Sequence, residues 1–173
     1  MNDQPPLIVL DLNGTILLSQ HRRVAYSKED ARTNSKYIYF RPHMHEFLRF
    51  LFSHFRVAVW TSNESHNATL TVDAAFTQEQ QARLFFVWSR SQCILGPNYT
   101  SFKSVARILD TFGPGSVHAQ KLTILDDTPS KVCDRMFDQN FLNVLSYDCV
   151  DDQDTGLLDA MASLRLMYPL SSE

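Results

Sequence analysis

Short apolar runs alternate along the chain with stretches in which apolar residues recur at helical spacing. The run Leu7–Leu10 is apolar throughout and contains β-branched residues, a pattern typical of a strand covered on both faces of a parallel sheet. Further strands are predicted on similar grounds at residues 56–60, 84–88, 122–125 and 142–145. Helices are predicted from Pro42, across residues 102–109, from Pro129, and from a cap at Thr155.

This order of elements predicts an α/β fold with a doubly wound, mostly parallel sheet. Residues 1–173 have the length and the hydrophobic content, 44%, of a single domain with one substantial core. Residues 18–37 interrupt the alternation with a polar, charge-mixed segment. This segment is too short for a second domain and predicts a flap or small hairpin inserted after the first strand.

Two of the predicted strands end in carboxylates. Asp11 follows the first strand, and Asp126-Asp127 follow the strand at 122–125. Because ligands of doubly wound sheets bind outside the carboxyl ends of the strands, we expect these residues to meet at one edge. Such a cluster favours Mg²⁺, which needs few protein oxygens besides its waters and a substrate phosphate. Asn13-Gly14 between apolar residues is also typical of a β-hairpin, and that alternative stays open.

Two hydroxyls and one lysine could hold a phosphate at the same edge. Thr61 and Ser62 end the strand at 56–60, where their hydroxyls and backbone amides suit an anion. Lys103 begins a predicted helix, where its charge and the helix dipole both favour an anion. Plainer roles fit these residues equally well: Thr61 and Ser62 in a turn or helix cap, and Lys103 as a solvated surface lysine.

The charge and cysteine content narrow the class of protein. The 16 basic and 19 acidic side chains provide no broad basic field, so a nucleic-acid partner is not expected. Cys93, Cys133 and Cys149 lack C-x-x-C spacing and are expected to be reduced thiols, mostly buried. No apolar run reaches the ~20 residues that span a bilayer. We therefore expect a soluble, cytoplasmic or nuclear protein with no membrane partner.

Four groups of residues resemble, in order, the motifs of the haloacid-dehalogenase superfamily: Asp11-Leu12-Asn13-Gly14-Thr15, Trp60-Thr61-Ser62-Asn63, Lys103, and Leu125-Asp126-Asp127-Thr128-Pro129. Two further segments, Arg41-Pro42-His43 and Trp88-Ser89-Arg90 through Cys93, resemble more narrowly the small phosphatases of the RNA polymerase II C-terminal domain, with their FCP1 homology or NLI-interacting-factor-like domain. The resemblance covers about residues 7–145.

The resemblance implies a magnesium-dependent phosphatase that acts on a phosphoprotein or phosphopeptide through an aspartyl-phosphate intermediate. By this analogy Asp11 attacks phosphorus, Thr61 binds the transferred phosphoryl group, and Lys103 neutralises charge on Asp11 and the phosphate.

The same resemblance implies ligands for Mg²⁺ and for the substrate. The expected metal ligands are Asp11, the Asn13 backbone carbonyl, and one or both of Asp126 and Asp127. The residues expected to contact the substrate are Ser62, Asn63 and Arg90.

Asn13 departs from the family pattern. Active phosphatases of this kind have an aspartate there that protonates the leaving group and then activates water, and an amide can do neither. Gly14 likewise replaces a common glutamate. General acid–base catalysis is typically worth ~10²–10⁴-fold, so a slow enzyme is one hypothesis. The alternative is a catalytically impaired binding or assembly subunit, as in the related presequence-receptor domain of the mitochondrial import machinery.

Two tryptophans and a group of acidic residues near the end of the chain are expected to have structural rather than functional roles. Trp60 and Trp88 end strands and are expected in the core. The acidic residues at 148, 151, 152 and 154 lack the glycine and terminal glutamate of a calcium loop, and we expect them in a solvated loop.

Overall fold

A parallel sheet of five strands forms the centre of the protein. The computed structural model describes residues 4–25, 27–132, 139–149 and 153–169. The sheet consists of β1 (Leu7–Leu10), β5 (Arg56–Trp60), β6 (Leu84–Trp88), β9 (Leu122–Asp126) and β10 (Phe141–Asn143). Their spatial order is β10-β9-β1-β5-β6, and every neighbouring pair is parallel. All five strands predicted from the sequence are present, although the last ends at Asn143 rather than at residue 145.

Helices cover both faces of this sheet. They are α1 (Met44–His54), α2 (Ser65–Ala75), α3 (Gln78–Ala82), α4 (Val105–Phe112) and α5 (Gly156–Met167). Alternate residues of β1 point to opposite faces: Ile8 and Leu10 pack in a core with α1 and α5, whereas Leu7 and Val9 pack in a second core with α4. The predicted doubly wound α/β fold is therefore confirmed.

Several helix boundaries differ from the prediction. Residue 102 belongs to a strand, and α4 begins only after Ser104, whose hydroxyl accepts a hydrogen bond from the Arg107 N–H. Pro129 opens a short 3-10 turn, Pro129–Lys131, and residues 133–138 lie outside the described chain. Thr155 precedes α5, but its hydroxyl donates to Asp159 and caps no helical N–H.

The segment after β1 forms a separate antiparallel sheet. It consists of β2 (Leu17–Gln20), β3 (Ala31–Arg32) and β4 (Tyr37–Phe40), in the order β2-β4-β3. We call it the flap sheet. Asn13-Gly14 forms no hairpin between β1 and β2, because β1 stays in the central sheet and Gly14 turns the chain with φ +85°. The hairpin alternative is wrong.

A short hairpin precedes Lys103, and the two tryptophans and the described cysteines are buried or half-buried. β7 (Ile94–Leu95) pairs with β8 (Ser101–Phe102) just before Lys103. Trp60 is fully buried and Trp88 is half-buried. Their rings pack edge to face, with 4.9 Å between the ring centres. Cys93 is buried and Cys149 half-buried, both as free thiols, while Cys133 lies outside the described residues. Among the helices of the described chain, none is both long and apolar enough to cross a membrane.

Candidate active site

The strand register brings Asp11 and Asp126 side by side. Leu10 of β1 is in register with Leu125 of β9, so the next residue of each strand is a carboxylate at the same level of the sheet. The Asp11 N–H donates to the Leu125 carbonyl at 2.9 Å and continues the ladder to this point. Both side chains are buried, with exposed fractions of 2% and 0%. The predicted meeting of the two acidic strand ends is thus present in the fold.

Lys103 lies between these two carboxylates. Its Nζ donates to Asp11 Oδ1 at 2.7 Å and to Asp126 Oδ2 at 2.6 Å. The side chain is 1% exposed, so the interpretation as a solvated surface lysine is wrong. The residue also lies before α4 rather than within its first turn, and the Lys103 N–H donates to the Lys131 carbonyl at 2.7 Å. The ammonium is therefore held by its two carboxylate partners, and the Lys103 backbone is held by the Lys131 carbonyl.

Burial shifts the pKa of both Asp11 and Lys103 toward the neutral form, and the opposite charge beside each residue shifts it back. Burial raises the pKa of Asp11 to about 6, although the Lys103 ammonium opposes the rise. Burial also disfavours the charged form of Lys103, but Asp11 and Asp126 outweigh it and raise the pKa of the ammonium above its usual value. At neutral pH Lys103 is therefore charged and Asp11 is mostly ionised.

Thr15 connects Asp11 to Asp127. Its hydroxyl donates to Asp11 Oδ2 at 3.3 Å and accepts a hydrogen bond from the Asp127 N–H at 3.1 Å. The hydroxyl of Ser146, beyond the end of β10, donates to Asp127 Oδ2 at 2.7 Å. Neither hydroxyl was expected, from the sequence, to have a role at this site. The threonine in the Asp11 motif was an available signal, whereas nothing near Ser146 in the sequence points to Asp127.

Asp11, Asp126 and Asp127 form a cluster that suits a hard cation. Within the described chain, one oxygen from each of the three lies within 4.8 Å of the others. The three carboxylates outnumber the cations that act on Asp11, Lys103 and Lys131, so the cluster keeps a net negative charge that favours a bound cation. The donor set is all oxygen, as Mg²⁺ prefers, so these residues fit Mg²⁺.

Asp126 and Asp127 differ in how firmly hydrogen bonds occupy their carboxylate oxygens. Asp126 Oδ2 accepts from the buried Lys103 ammonium, and Oδ1 accepts from the Thr128 backbone N–H at 2.8 Å. Asp127 is half-buried, and within the described residues its oxygens accept from the Thr128 and Ser146 hydroxyls, which can rotate away. Asp127 is therefore the more available ligand of the two.

Asn13 lies at the start of the flap sheet. Its side chain is exposed, and its Oδ1 accepts a hydrogen bond from the Ser19 backbone N–H at 2.6 Å. Gly14 follows with φ +85°, and a Cβ built there would lie 2.4 Å from Asp127 Oδ2. A glutamate at this position would displace Asp127. The chain thus combines an amide at residue 13 with a glycine that makes room for the second acidic residue.

The strand end after β5 carries Thr61, Ser62 and Asn63. Leu10 is in register with Val59, which sets Thr61 beside the Asp11 strand end. Thr61 is 1% exposed, and its hydroxyl accepts a hydrogen bond from the Asn63 N–H at 3.2 Å, as a turn would require. Ser62 and Asn63 are half-buried. The Asn63 side-chain Nδ2 finds no acceptor among the described residues, which makes it an available donor for an anion.

Arg90 lies farther along this edge, after β6. Its Nη2 donates to the Tyr99 carbonyl, and its Nε lies 3.8 Å from a Glu64 carboxylate oxygen. These contacts attach Arg90 to the β7–β8 hairpin and to the residue before α2, and a contact with an anionic substrate remains a prediction.

Comparison with known proteins identifies the family. The profile of the NLI interacting factor-like phosphatases matches residues 6–172. An uncharacterised FCP1 homology domain-containing protein of Schizosaccharomyces pombe is 35% identical over 89 residues, which are 51% of this chain and 35% of that protein. A putative CTD phosphatase-like protein of Invertebrate iridescent virus 3 is 30% identical over 90 residues, 46% of this chain and 48% of the viral protein. The chain thus spans half or less of the length of these curated relatives.

Solved structures show the same fold at low sequence identity. The fission yeast RNA polymerase II CTD phosphatase Fcp1, in a form bound to beryllium fluoride, aligns over 96% of this chain and 54% of its own, with a TM-score of 0.59 and 15% identity. An uncharacterised protein from Listeria monocytogenes serotype 4b aligns over 95% of this chain and 99% of its own, with a TM-score of 0.60 and 13% identity. Since the family profile covers nearly the whole sequence, the chain belongs to the NLI interacting factor-like phosphatase family.

Proposed function

We propose that this chain is a magnesium-dependent phosphatase that works through an aspartyl-phosphate on Asp11. The observation that carries the proposal is the buried Lys103 ammonium between Asp11 and Asp126, with Asp127 beside them. Burying an ammonium and carboxylates is costly, and a protein that served only as a scaffold would gain more stability from apolar residues of similar size. Ionisable groups buried together at a strand edge are typical of catalytic sites.

In the first step an oxygen of Asp11 attacks phosphorus, and the bond from phosphorus to the leaving oxygen breaks. Oδ1 accepts a short bond from Lys103, whereas Oδ2 has only the 3.3 Å contact with Thr15, so Oδ2 is the freer nucleophile. Lys103 neutralises charge that the phosphoryl group brings beside Asp11. The Thr61 hydroxyl and the Asn63 Nδ2, both at the neighbouring strand end, would donate to phosphoryl oxygens.

Asp11, Asp127 and the Asn13 carbonyl would hold Mg²⁺, and Asp126 would anchor Lys103. When bound, the ion supplies positive charge that offsets the negative charge of the phosphoryl group and of the acidic cluster. This division of roles rests on the occupied oxygens of Asp126 and the half-exposed position of Asp127.

The leaving group and the attacking water each need a proton transfer that Asn13 cannot provide. In the first step the departing oxygen must take a proton from solvent or leave as an anion, and in the second a water must attack the aspartyl-phosphate without a side-chain base at residue 13. We therefore expect a slow enzyme whose rate depends strongly on the leaving group.

A phosphoprotein or phosphopeptide is the substrate class that the relatives suggest. The viral relative is a putative CTD phosphatase-like protein, and the structural neighbour Fcp1 is a phosphatase of the RNA polymerase II C-terminal domain. The open strand edge, with half-buried Ser62, Asn63 and Arg90, would admit an extended phosphorylated segment.

The test is turnover of an aryl phosphate in a magnesium titration, with Asp11→Asn as the matched control. We expect saturable, magnesium-dependent turnover that the Asp11→Asn variant lacks. Trapping the phosphorylated enzyme with acid after a short reaction should locate the phosphate on Asp11. Equal turnover in both proteins would refute the role of Asp11.

A second candidate function is a protein-binding or assembly subunit that retains the phosphate pocket for recognition. The exposed amide of Asn13, where the family resemblance implies an aspartate in active enzymes, favours this candidate. It predicts that a phosphopeptide binds with magnesium and is recovered unhydrolysed, with no turnover of aryl phosphates. The same titration therefore distinguishes the two functions.

A further inference from the structure

Arg41 is a buried arginine that the proposed reaction has not used. It follows β4 and precedes α1, and its side chain has an exposed fraction of 0%. Its Nε and Nη2 donate to the two carboxylate oxygens of Asp154 at 2.7 and 2.8 Å. Its remaining Nη1 donates to the Thr15 carbonyl at 2.9 Å. The acidic loop expected to be solvated thus supplies, in Asp154, the partner of a buried cation, and that expectation is wrong for this residue.

The Arg41 contact reaches the candidate active site through one residue. The Thr15 carbonyl accepts from Arg41, while the Thr15 hydroxyl contacts both Asp11 Oδ2 and the Asp127 N–H. A shift of the Thr15 backbone would therefore move two of the three clustered carboxylates relative to each other. Arg41 touches neither of them, so its effect on the site would be one of position.

Other contacts hold Arg41 in a single arrangement. Asp154 Oδ1 also accepts from the Gly156 N–H at 3.0 Å, which attaches the carboxylate to the start of α5. A Cβ at Gly156 would lie 2.2 Å from Arg41 Nη2, so the guanidinium fills the space above this glycine. Its central carbon also lies 5.6 Å from the centre of the Tyr147 ring, and the Tyr147 N–H donates to the Gly14 carbonyl at 2.7 Å.

We propose that Arg41, anchored by Asp154, is a positioning residue that holds the Thr15 loop so that Asp11 and Asp127 keep the geometry needed for magnesium and phosphoryl transfer. This inference rests on the proposed function, because it concerns the same site. The planar guanidinium is required, since it donates two parallel bonds to Asp154 and a third in another direction. A lysine ammonium at this position has the charge without that fork.

The test compares Arg41→Lys with Arg56→Lys, a matched control. Arg56 is half-buried and also donates to a backbone carbonyl, that of Ser116, but at the amino ends of the strands, away from the site. We expect Arg41→Lys to lower kcat for an aryl phosphate about 10–100-fold with little change in KM, because the nucleophile is misplaced. We also expect calorimetry to show magnesium affinity weakened about tenfold or more, as for other residues that orient metal ligands. Arg56→Lys should change neither quantity.

Two further experiments keep the test valid if Arg41→Lys folds poorly: a variant of Asp154, and the addition of guanidinium to a variant that lacks the Arg41 side chain. Asp154→Asn retains the size of the anchor and should weaken magnesium binding in the same direction. Arg41 and Asp154 line a cavity of about 320 Å³, and removal of the Arg41 side chain would enlarge it for a small cation. Added guanidinium, at concentrations too low to denature, should restore part of the turnover and magnesium affinity of Arg41→Ala, and should have no such effect on Arg56→Ala.

The outcomes separate this inference from the proposed function. If the parent protein is active and Arg41→Lys loses only thermal stability, with kcat and magnesium affinity like those of Arg56→Lys, the positioning role is refuted and the function stands. If the parent binds magnesium without turnover and Arg41→Lys weakens that binding, the positioning role stands and the phosphatase proposal fails. If the parent does neither, both proposals fail.

Discussion

Under the proposed function, Asn13 is the residue that would limit proton transfer at the site. Its amide oxygen already has a structural partner, the Ser19 backbone N–H, which lies at 2.6 Å. A carboxylate oxygen could accept the same bond, so an aspartate would keep the attachment between the loop and the flap sheet. The substitution would then change proton-transfer chemistry with little change in structure.

We expect Asn13→Asp to raise turnover of alkyl phosphates by up to ~10²–10⁴-fold, because an alkoxide leaves poorly without a proton. Aryl phosphates should change less, since a phenolate leaves without one. In the parent protein aryl substrates should accordingly be far better than phosphoserine peptides. Steady-state kinetics on both substrate classes at saturating magnesium measures the effect.

The single variant adds a carboxylate to the loop beside a cluster of three others. Asp11, Asp126 and Asp127 already lie within 4.8 Å of one another, so further repulsion would raise the pKa of a neighbour. We expect Asn13→Asp combined with Asp127→Asn to exceed either single change, and the four proteins together give the coupling energy. If neither Asn13→Asp nor the double variant exceeds the parent on an alkyl phosphate, the missing acid does not limit this site.

Gly14 has both an unusual backbone angle and a steric role. We expect Gly14→Ala to abolish magnesium-dependent stabilisation, because its Cβ would lie 2.4 Å from Asp127 Oδ2. Gly113→Ala is the matched control, since Gly113 also has positive φ, +70°, with nothing within 4 Å of a Cβ. Each substitution should cost about 1–3 kcal/mol of stability through backbone strain. Thermal melts with and without magnesium separate this shared cost from the loss of metal binding.

At the scale of elements, helices and strands are predicted best from the sequence where their apolar residues follow a single periodicity. The strand at Leu7–Leu10 is apolar at every position because helices cover both faces, and α1 has six buried apolar side chains on one stripe. By contrast, α2 buries only Ala68, Thr71, Val72 and Ala75, so small and polar residues hide its periodicity. The helix α3 buries no residue at all, and its only signal is the capping box Thr77–Gln80.

Site residues that directly follow a predicted strand could be placed from the sequence. Residues whose contacts join distant parts of the chain could not. Asp11 and Asp126 follow apolar runs, so parallel pairing alone brings them together. Lys103 becomes buried through the two-residue strand β8, which has no distinct pattern. The pair Arg41–Asp154 joins residues 113 apart in sequence, and no local rule connects them.

The same pair docks the start of α5 against the rest of the protein, and it makes that docking sensitive to pH. Hydrogen bonds from Arg41 hold the pKa of Asp154 below its usual value of 3.8, and its side chain is only 18% exposed. The pair therefore stabilises the fold above about pH 4, and that stabilisation is lost as pH falls through the lowered pKa. We expect Asp154→Asn to cost about 3 kcal/mol at pH 7, as for other broken buried pairs. Denaturant unfolding should show the gap between the two proteins closing toward pH 3; a constant gap would mean that the charge of Asp154 contributes nothing.

At the scale of the whole molecule, charge is distributed unevenly. The chain has a net charge of −3, and the cluster at the strand edge contributes more negative charges than its neighbours Lys103 and Lys131 offset. These charges lie against buried strands, where solvent screens them poorly, so they oppose folding in the absence of a cation. A cation that binds only the folded protein would relieve this repulsion and stabilise the entire domain.

We therefore expect magnesium to raise the melting temperature of the parent protein. At a free concentration of 100 times Kd the gain is about 2.7 kcal/mol, or roughly 5–10 °C for a chain of this size. Because the pKa of Asp11 is about 6, protons compete with the ion below that pH, and the increment should shrink from pH 7.5 to pH 5. Asp127→Ala should lose the increment, whereas Asp73→Ala, which removes an exposed carboxylate on α2, should keep it. An equal increment in Asp127→Ala, or one that does not change with pH, would place the bound magnesium away from the strand edge and remove the basis for a metal-assisted reaction at Asp11.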